Sequence, residues 1–465
     1  MLKYTHIRMQ LVMLLFACGT ANANSQQDRA ADSATVRDLR EQGRSVTLSV
    51  QTLPDRPGSD TAIGHDIVVI APDEIWGVGE WRITPASPSE NELGSQLFRY
   101  DGVAWSRFDP PNQASTCNGL IWSIARSIDA GPDGIYAVGE YKDDACIFTD
   151  TLLFEGDAGG FSQTITPGQS AFGAQGFLFE DVHVDSDGVV WMGGQFSIEV
   201  GGPVATIIRM DNSGFERFDG PLILSAAHRV RSIDSASPSD IWAAGSAGGP
   251  GSSVGRSYAL HFDGSQWSEV SPPQHGFGEI LWEAEVVGPD DVWMSGQFRR
   301  VGDDGSTETL PLMWHWDGSG WTRYDSPGFA AELVVMGPYD IYGASNNTLI
   351  HWDGSSWSIA AVVPDELALN LAMRSLTRVS PSELIALGDA GPELTTGRST
   401  VAVRFLLTQN CPADLTGDQS LDFFDVSAFL SAFNAMDPAA DFDGNGVYDF
   451  FDVSAFLSAF SAGCP

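Results

Sequence analysis

A chain of 465 residues with 43% apolar and 11% aromatic side chains is too hydrophobic to stay unfolded, and its 50 Gly and 25 Pro interrupt it too often for a helical bundle. Lys and Arg number 24 against 61 Asp and Glu, a formal net charge of −37. Such a surface is repelled by phosphate backbones and anionic membranes, which excludes nucleic-acid partners and favours divalent cations, basic partners or a salty medium.

The chain opens with Lys3 and Arg8, an apolar run from Leu11 to Cys18, and Ala21-Asn22-Ala23, whose small residues sit where a signal peptidase reads. Residues 1–23 read as an export signal and the polar, aperiodic stretch 24–44 as a flexible leader. A second reading takes Leu15-Phe16-Ala17-Cys18 as a lipoprotein box with Cys18 lipidated. No later segment approaches the apolar length of a membrane-spanning helix, so the expected location is secreted or cell-surface. Setting Cys18 aside leaves Cys117, Cys146, Cys411 and Cys464, an even number that suggests two disulfides in an oxidising compartment.

The middle of the chain repeats itself. A Pro-Asp, Pro-Ser or similar turn leads into a short strand with an aromatic residue and then Gly, as in PDEIWGVGE from Pro72 and PDDVWMSGQ from Pro289. The aromatic positions are Trp76, Tyr136, Trp191, Trp242, Trp293 and Tyr342, followed by Ile385, at intervals of 43 to 60 residues. A second signature lies between them: LFRYDGVAW ends at Trp105, LHFDGSQW at Trp267, WHWDGSGW at Trp321 and IHWDGSSW at Trp357, with weaker copies ending at Phe161 and Phe215. Self-similarity at this period, built of short alternating strands and tight turns, predicts a seven-bladed β-propeller over residues 45–408. The seventh unit is one strand short, and the isolated alternating run Ser45–Gln51 (SVTLSVQ) is expected to supply its outer strand. Strand counting puts Cys117 and Cys146 on connections at the same propeller face, so the expected disulfides join Cys117 to Cys146 and Cys411 to Cys464. The repeat style resembles that of secreted bacterial propellers and lacks the Asp-x-Gly-x-x-Trp spacing of sialidase boxes; this resemblance implies architecture and no chemistry.

Residues 409–465 carry the most specific motif. Asp422–Phe433 (DFFDVSAFLSAF) recurs identically as Asp449–Phe460, and each copy closes a twelve-residue, oxygen-rich loop. A hard cation such as calcium takes six to eight oxygens, which positions 1, 3, 5, 7, 9 and 12 of such loops supply. The first loop offers Asp414, Thr416, Asp418, Ser420 (through its carbonyl), Asp422 and Asp425; the second offers Asp441, Asp443, Asn445, Val447 (through its carbonyl), Asp449 and Asp452. Two Ca²⁺ sites are therefore expected, the second tighter, because the first has neutral Thr416 and places Gln419 where the loop wants Gly. Val426, Phe429, Leu430 and Phe433, with Val453, Phe456, Leu457 and Phe460, form an apolar stripe on a helix after each loop. The module holds nine Asp and no Glu, Lys or Arg, so its self-repulsion should keep it unfolded without metal. Two loop–helix units with Asp at position 12 resemble a type I dockerin, here bracketed by Cys411 and Cys464. That resemblance implies docking onto a cohesin-like or other surface protein, with loop positions Phe423, Phe424, Phe450 and Phe451 in the contact.

Catalytic motifs are missing: there is no HExxH, GxSxG or phosphate-binding loop. His261, His315 and His351 recur at one repeat position, which argues for structure, since an active site is used once. Loops between second and third strands are long at 81–93, 246–257 and 298–309, and binding usually resides on such a face. Residues entering the first strands there, His65, Trp122, His228, Arg229, Trp282 and Arg374, are candidates for holding a glycan. The expectation is an exported propeller that binds or scaffolds, docked through a calcium-dependent module, with no catalytic residue assigned. The rival is a polysaccharide-degrading hydrolase or lyase acting from the loop-rich face.

Overall fold

The computed structural model describes residues 44–84, 92–110, 116–117, 120–121, 123–142, 149–164, 177–198, 202–219, 228–248, 255–302, 304–337, 340–393, 396–409, 413–416, 421–436, 440, 442 and 447–462. Seven four-stranded antiparallel sheets are present among them, each built from consecutive strands except the last. The innermost strands, first in each blade, are Thr61–Ala71, Ser123–Gly131, Phe177–Val184, His228–Ser237, Phe277–Gly288, Glu332–Gly337 and Ala372–Ser380. The chain is a seven-bladed β-propeller with two helices at its C-terminal end, as the repeat predicts.

The seventh blade is completed by the N-terminal strand Arg44–Thr52, which pairs antiparallel with Ser399–Gln409 from Arg44↔Gln409 to Thr52↔Val401. Val46 and Leu48 of that strand, and Leu53 just after it, are buried. Asp55 extends the closure: it accepts from the Thr400 amide at 3.0 Å and from Gln96 Nε2 at 3.2 Å, tying the seventh blade to the first.

The two sequence signatures interlock between neighbouring blades. The aromatic of the first signature inserts between the aromatics of the second signature one blade on. Trp242 packs against Trp316 and Trp321 at 5.8 and 6.0 Å between centroids, and Trp293 packs against Trp352 and Trp357 at 5.0 and 5.6 Å. Tilted and edge-to-face contacts of this kind add to area burial and fix the angle between blades. The recurring histidines brace the same aromatics from within a blade. His261, His315 and His351 bond Asp240, Asp291 and Asp340 at 2.7, 2.8 and 2.7 Å and lie against Trp242, Trp293 and Tyr342, which is the structural role their recurrence implies.

Six of the seven innermost strands carry a β-bulge at one place, with His65, Arg126, Glu180, Arg231, Trp282 and Arg374 as the extra residues. The cause is legible three residues after five of the repeat aromatics and after Ile385, at Gly79, Gly139, Gly194, Gly245, Gly296 and Gly388. A Cβ there would run into the carbonyl oxygen of Ile63, Ile124, Leu178, Arg229, Ile280 or Ala372, the residue two before the bulge. The bulge thus presses backbone against backbone, and only Gly admits it. The sixth blade has Ser345 at that position, and its innermost strand pairs with the next through Glu332↔Ala344 without this bulge.

Two expectations need correction. The third long loop is largely a hairpin: strands Asp291–Val301 and Thr307–Trp316 stay paired out to Val301↔Thr307, because Gly302 and Gly305 close a tight turn. On the C-terminal helices Phe423–Ala435 and Phe450–Ala462, Leu430 and Leu457 are exposed, and the buried stripe runs through Val426, Phe429 and Phe433 with Ala432, and through Val453, Phe456 and Phe460 with Ala459. The duplicated residues Phe429 and Phe456 stack on each other, 4.1 Å apart and 5° from parallel, with Phe442 edge-on to both.

Candidate ligand site in the propeller channel

The bulges aim side chains at the channel, because an extra residue in one strand rotates its side chain out of the sheet's alternation. All six bulge residues line a single cavity of about 390 Å³, with Ala331 of the sixth blade in the same tier. Every blade contributes to the wall. Three guanidinium groups therefore converge at the mouth of a strongly acidic protein. Arg126 pairs with Glu140, and Arg374 bonds Asp389 at 2.7 Å. Arg231 has only Glu180 at 3.9 Å, and its Nε is buried without a hydrogen-bond partner among the described residues. Trp282 faces the cavity with its ring 5.8 Å from that of Phe329.

One residue further along each strand is a second tier: Asp66, Ser127, Asp181, Ser232, Glu283, Glu332 and Ser375, every one polar. Most of this tier is structural. The channel-facing edge of each innermost strand would otherwise present unpaired backbone N–H groups. Asp66 accepts from Ile128 N at 2.9 Å, Asp181 from Ile233 N at 2.7 Å, and Ser232 from Ala284 N at 3.1 Å, each reaching one blade on. Ser127 Oγ donates to Asp181 at 2.6 Å and lies 2.9 Å from Asp66. A deeper tier repeats the device: Asp129, Asp234 and Glu285 accept from Val184, Val286 and Val335 at 2.7, 2.6 and 3.0 Å. His183 of the third blade bridges its two neighbours at this depth, 2.6 Å from Ser235 and 3.6 and 3.5 Å from Asp129 and Asp234.

Glu283 and Glu332 are the acidic exceptions, and Ser375 Oγ is likewise buried without a partner among the described residues. The two glutamates occupy equivalent positions on neighbouring blades and both face the cavity, yet neither makes a hydrogen bond or ion pair among the described residues. Burial, and for Glu283 the Glu332 carboxylate beside it, pushes its carboxyl well above the ordinary range; burial with the Asp66 and Asp181 carboxylates does the same to Glu332. Burial also raises Asp66 to about 6, Asp181 to about 7 and Glu285 to about 8.

Of the residues proposed from sequence, His65, Trp282 and Arg374 line the cavity. Arg229 does not; it pairs with the lining residue Glu180. Trp122 and the His228 side chain lie outside the described residues. Arg126, Glu180, Arg231, Glu283 and Glu332 were not singled out.

At the C-terminal module, Asp425 and Asp452 are fully buried at loop position 12. Asp425 accepts from Thr416 N and Asp422 N at 3.0 Å each, and Asp452 from Phe442 N at 2.8 Å and Asp449 N at 2.9 Å, drawing the start of each loop onto its end. Asp418, Ser420, Asp441, Asp443 and Asn445 lie outside the described residues, and among those described no group of three or more His, Cys, Asp or Glu is placed to hold a metal ion. Phe423, Phe424, Phe450 and Phe451 are 65 to 76% exposed, so they do not pack inside the module. Cys146, Cys411, Cys464 and the Cys117 side chain, together with the proposed export signal, also lie outside the described residues. Among the described residues no helix is long and apolar enough to cross a membrane.

No protein-family model matches the chain, and no curated protein matches it. Among solved structures, polysaccharide lyase Uly1 aligns at a TM-score of 0.49 and 9% identity, covering 75% of this chain and 90% of the lyase. A Trypanosoma rangeli sialidase in complex with sialic acid aligns at 0.45 and 11%, covering 81% of this chain and spanning 59% of the sialidase. A protein of unknown function from Dyadobacter fermentans aligns at 0.46 and 8%, covering 79% of this chain and all of the other.

Proposed function

We propose that this is an exported binding protein whose propeller holds an anionic glycan at the channel mouth and which docks to a surface partner through a calcium-dependent, dockerin-like module. The bulge ring carries the ligand reading. Basic groups are outnumbered 24 to 61 by acidic ones on this chain, and concentrating three guanidinium groups with Trp282 around one cavity suits a ligand with a negative group and an apolar ring face. Arg231, the least committed of the three, is the expected anion anchor. Calorimetry of wild type and Arg231→Met against uronate-bearing, sulfated and neutral oligosaccharides tests it. Loss of roughly tenfold or more in affinity for the acidic ligands, with neutral ones indifferent, is expected on removing one charge-assisted contact. Acidic ligands held equally well by both proteins would sink the reading.

One observation favours the rival: Glu283 and Glu332 are cavity carboxyls free of the structural duties their neighbours perform. Paired carboxyls serve glycosidic-bond cleavage. Reducing-end and unsaturated-product assays on the same mixtures decide between them, since retention without product favours the binder.

The fit to calcium rests on the donor set. The loop positions gathered by Asp425 and Asp452 carry oxygen ligands only, as a hard cation requires. When bound, Ca²⁺ would neutralise the nine Asp that otherwise repel one another, held by Asp414, Thr416, Asp418, Ser420, Asp422 and Asp425 and by Asp441, Asp443, Asn445, Val447, Asp449 and Asp452. Chymotrypsin should cut the full chain at Phe429 and Phe456 in chelator and spare them in millimolar calcium, leaving the propeller intact in both. Equal protection in the two conditions would remove the calcium claim.

A further inference from the structure

The cavity is walled on all sides, and this limits how a polymer can use it. His65, Arg126, Glu180, Arg231, Trp282 and Arg374 come from six blades, and Ala331 of the sixth blade, the one remaining, closes the tier. Among the described residues the ring leaves no gap at this tier, so a chain cannot lie within the tier as it would in a groove and only an end can enter it. A volume of about 390 Å³ is at the small end for ligand pockets, which run from roughly 300 to 1,000 Å³.

The chemistry of the two tiers is ordered along the channel axis. Guanidinium groups and an aromatic ring come first, and the uncommitted carboxyls of Glu283 and Glu332 come next. A sugar acid matches this: its carboxylate meets the arginines, a ring face meets Trp282, and its hydroxyls reach the glutamates. Because burial keeps Glu283 and Glu332 protonated well above the ordinary range, they can both donate to and accept from hydroxyls, and they offer an ammonium group little charge.

We infer that the cavity recognises the terminal residue of an acidic oligosaccharide, entering end-on, with Arg231 on its anionic group and Glu283 and Glu332 on its hydroxyls. This rests on the anionic-glycan reading above and deepens it. Titrating the full-length protein, in calcium, with galacturonate, glucuronate and mannuronate series of one to eight residues tests it. End-on capture predicts one oligomer per protein at every length and affinity that changes less than about threefold beyond the disaccharide. Glu283→Leu combined with Glu332→Leu, which removes the donors and acceptors that Gln would keep, should weaken the monosaccharide and the octamer by the same factor, since both present one terminus. Several proteins per octamer, or affinity climbing more than tenfold with length, would overturn end-on recognition while leaving an anionic-glycan binder standing. No binding to any member of the three series overturns recognition of a sugar-acid terminus, and failure of the sulfated oligosaccharides as well overturns the anionic-glycan reading.

Discussion

Gly245→Ala should lower the unfolding midpoint by roughly 5 °C, the equivalent of about 3 kcal/mol in a domain of this size. Its new methyl group meets the backbone oxygen of Arg229, which cannot rotate away as a side chain would. The fourth blade can relieve the contact only by giving up the bulge that sends Arg231 into the channel, so anion binding should fall with stability. Two controls separate this from a generic glycine effect. Gly288→Ala adds a Cβ with nothing within 4 Å and should be close to neutral. Ser345→Gly, in the blade without this bulge, removes no clash and should cost only the backbone entropy of a strand glycine, about 0.5–1 kcal/mol. Equal losses for Gly245→Ala and Gly288→Ala would disprove the steric account.

The propeller should be markedly more stable at pH 5.5 than at pH 8.5, by about 5–10 °C in Tm. An acid whose folded pKa is raised contributes stability that is fully present below its unfolded pKa and is lost as pH rises through the folded value. Asp55 and Asp66 at about 6, Asp181 at about 7 and Glu285 at about 8 place that loss between pH 4 and 8, and Glu283 and Glu332, well above their ordinary value, add to it. Burial is the first cause in each. His65 acts the other way: burial lowers its pKa, so its contribution is lost as pH falls below its ordinary value near 6.5, one imidazole against six carboxyls. Glu80, held down to about 2 by His65 and Arg82 against its burial, is lost only in strong acid and is silent over this range. Glu283→Gln with Glu332→Gln should therefore raise Tm at pH 8.5 and flatten the profile. A profile falling towards pH 5.5, or a double variant less stable than wild type at pH 8.5, would contradict the assignment.

The propeller was legible because its two signatures are the two halves of one contact. Trp242 and Trp293 recur because each fills the space between the aromatics of the next HWDGxxW, and a repeat of this kind shows in sequence whatever the rest of the blade does. The closing strand showed as well, since Ser45–Gln51 alternates and has no partner nearby. The channel was half legible. Trp122, His228 and Arg229 precede the bulge residues Arg126 and Arg231 in sequence by four, three and two residues, an offset the sequence hides because the inserted bulge residue, which decides what faces inward, does not alter apolar alternation visibly. A signal does exist: counting back ten or eleven residues from the six repeat aromatics and Ile385 reaches His65, Arg126, Glu180, Arg231, Trp282, Ala331 and Arg374 in turn. Glu283 and Glu332 could not be picked from 61 acids, because what distinguishes them is the hydrogen bonds that Asp66 and Asp181 make to the next blade and they do not.

Pairing Arg44 with Gln409 also sets how the ring bears mechanical load. The segment before residue 44 and the segment after residue 409 leave the propeller from the same end of one two-stranded ladder. Tension drawn between those segments therefore pulls perpendicular to the strands and concentrates on the hydrogen bonds at that end, peeling the ladder like a zipper instead of shearing all of it at once. Tension applied through the C-terminal segment alone, with the other end slack, spares the seam, so the molecule withstands tugging best when it is moored by a single tail.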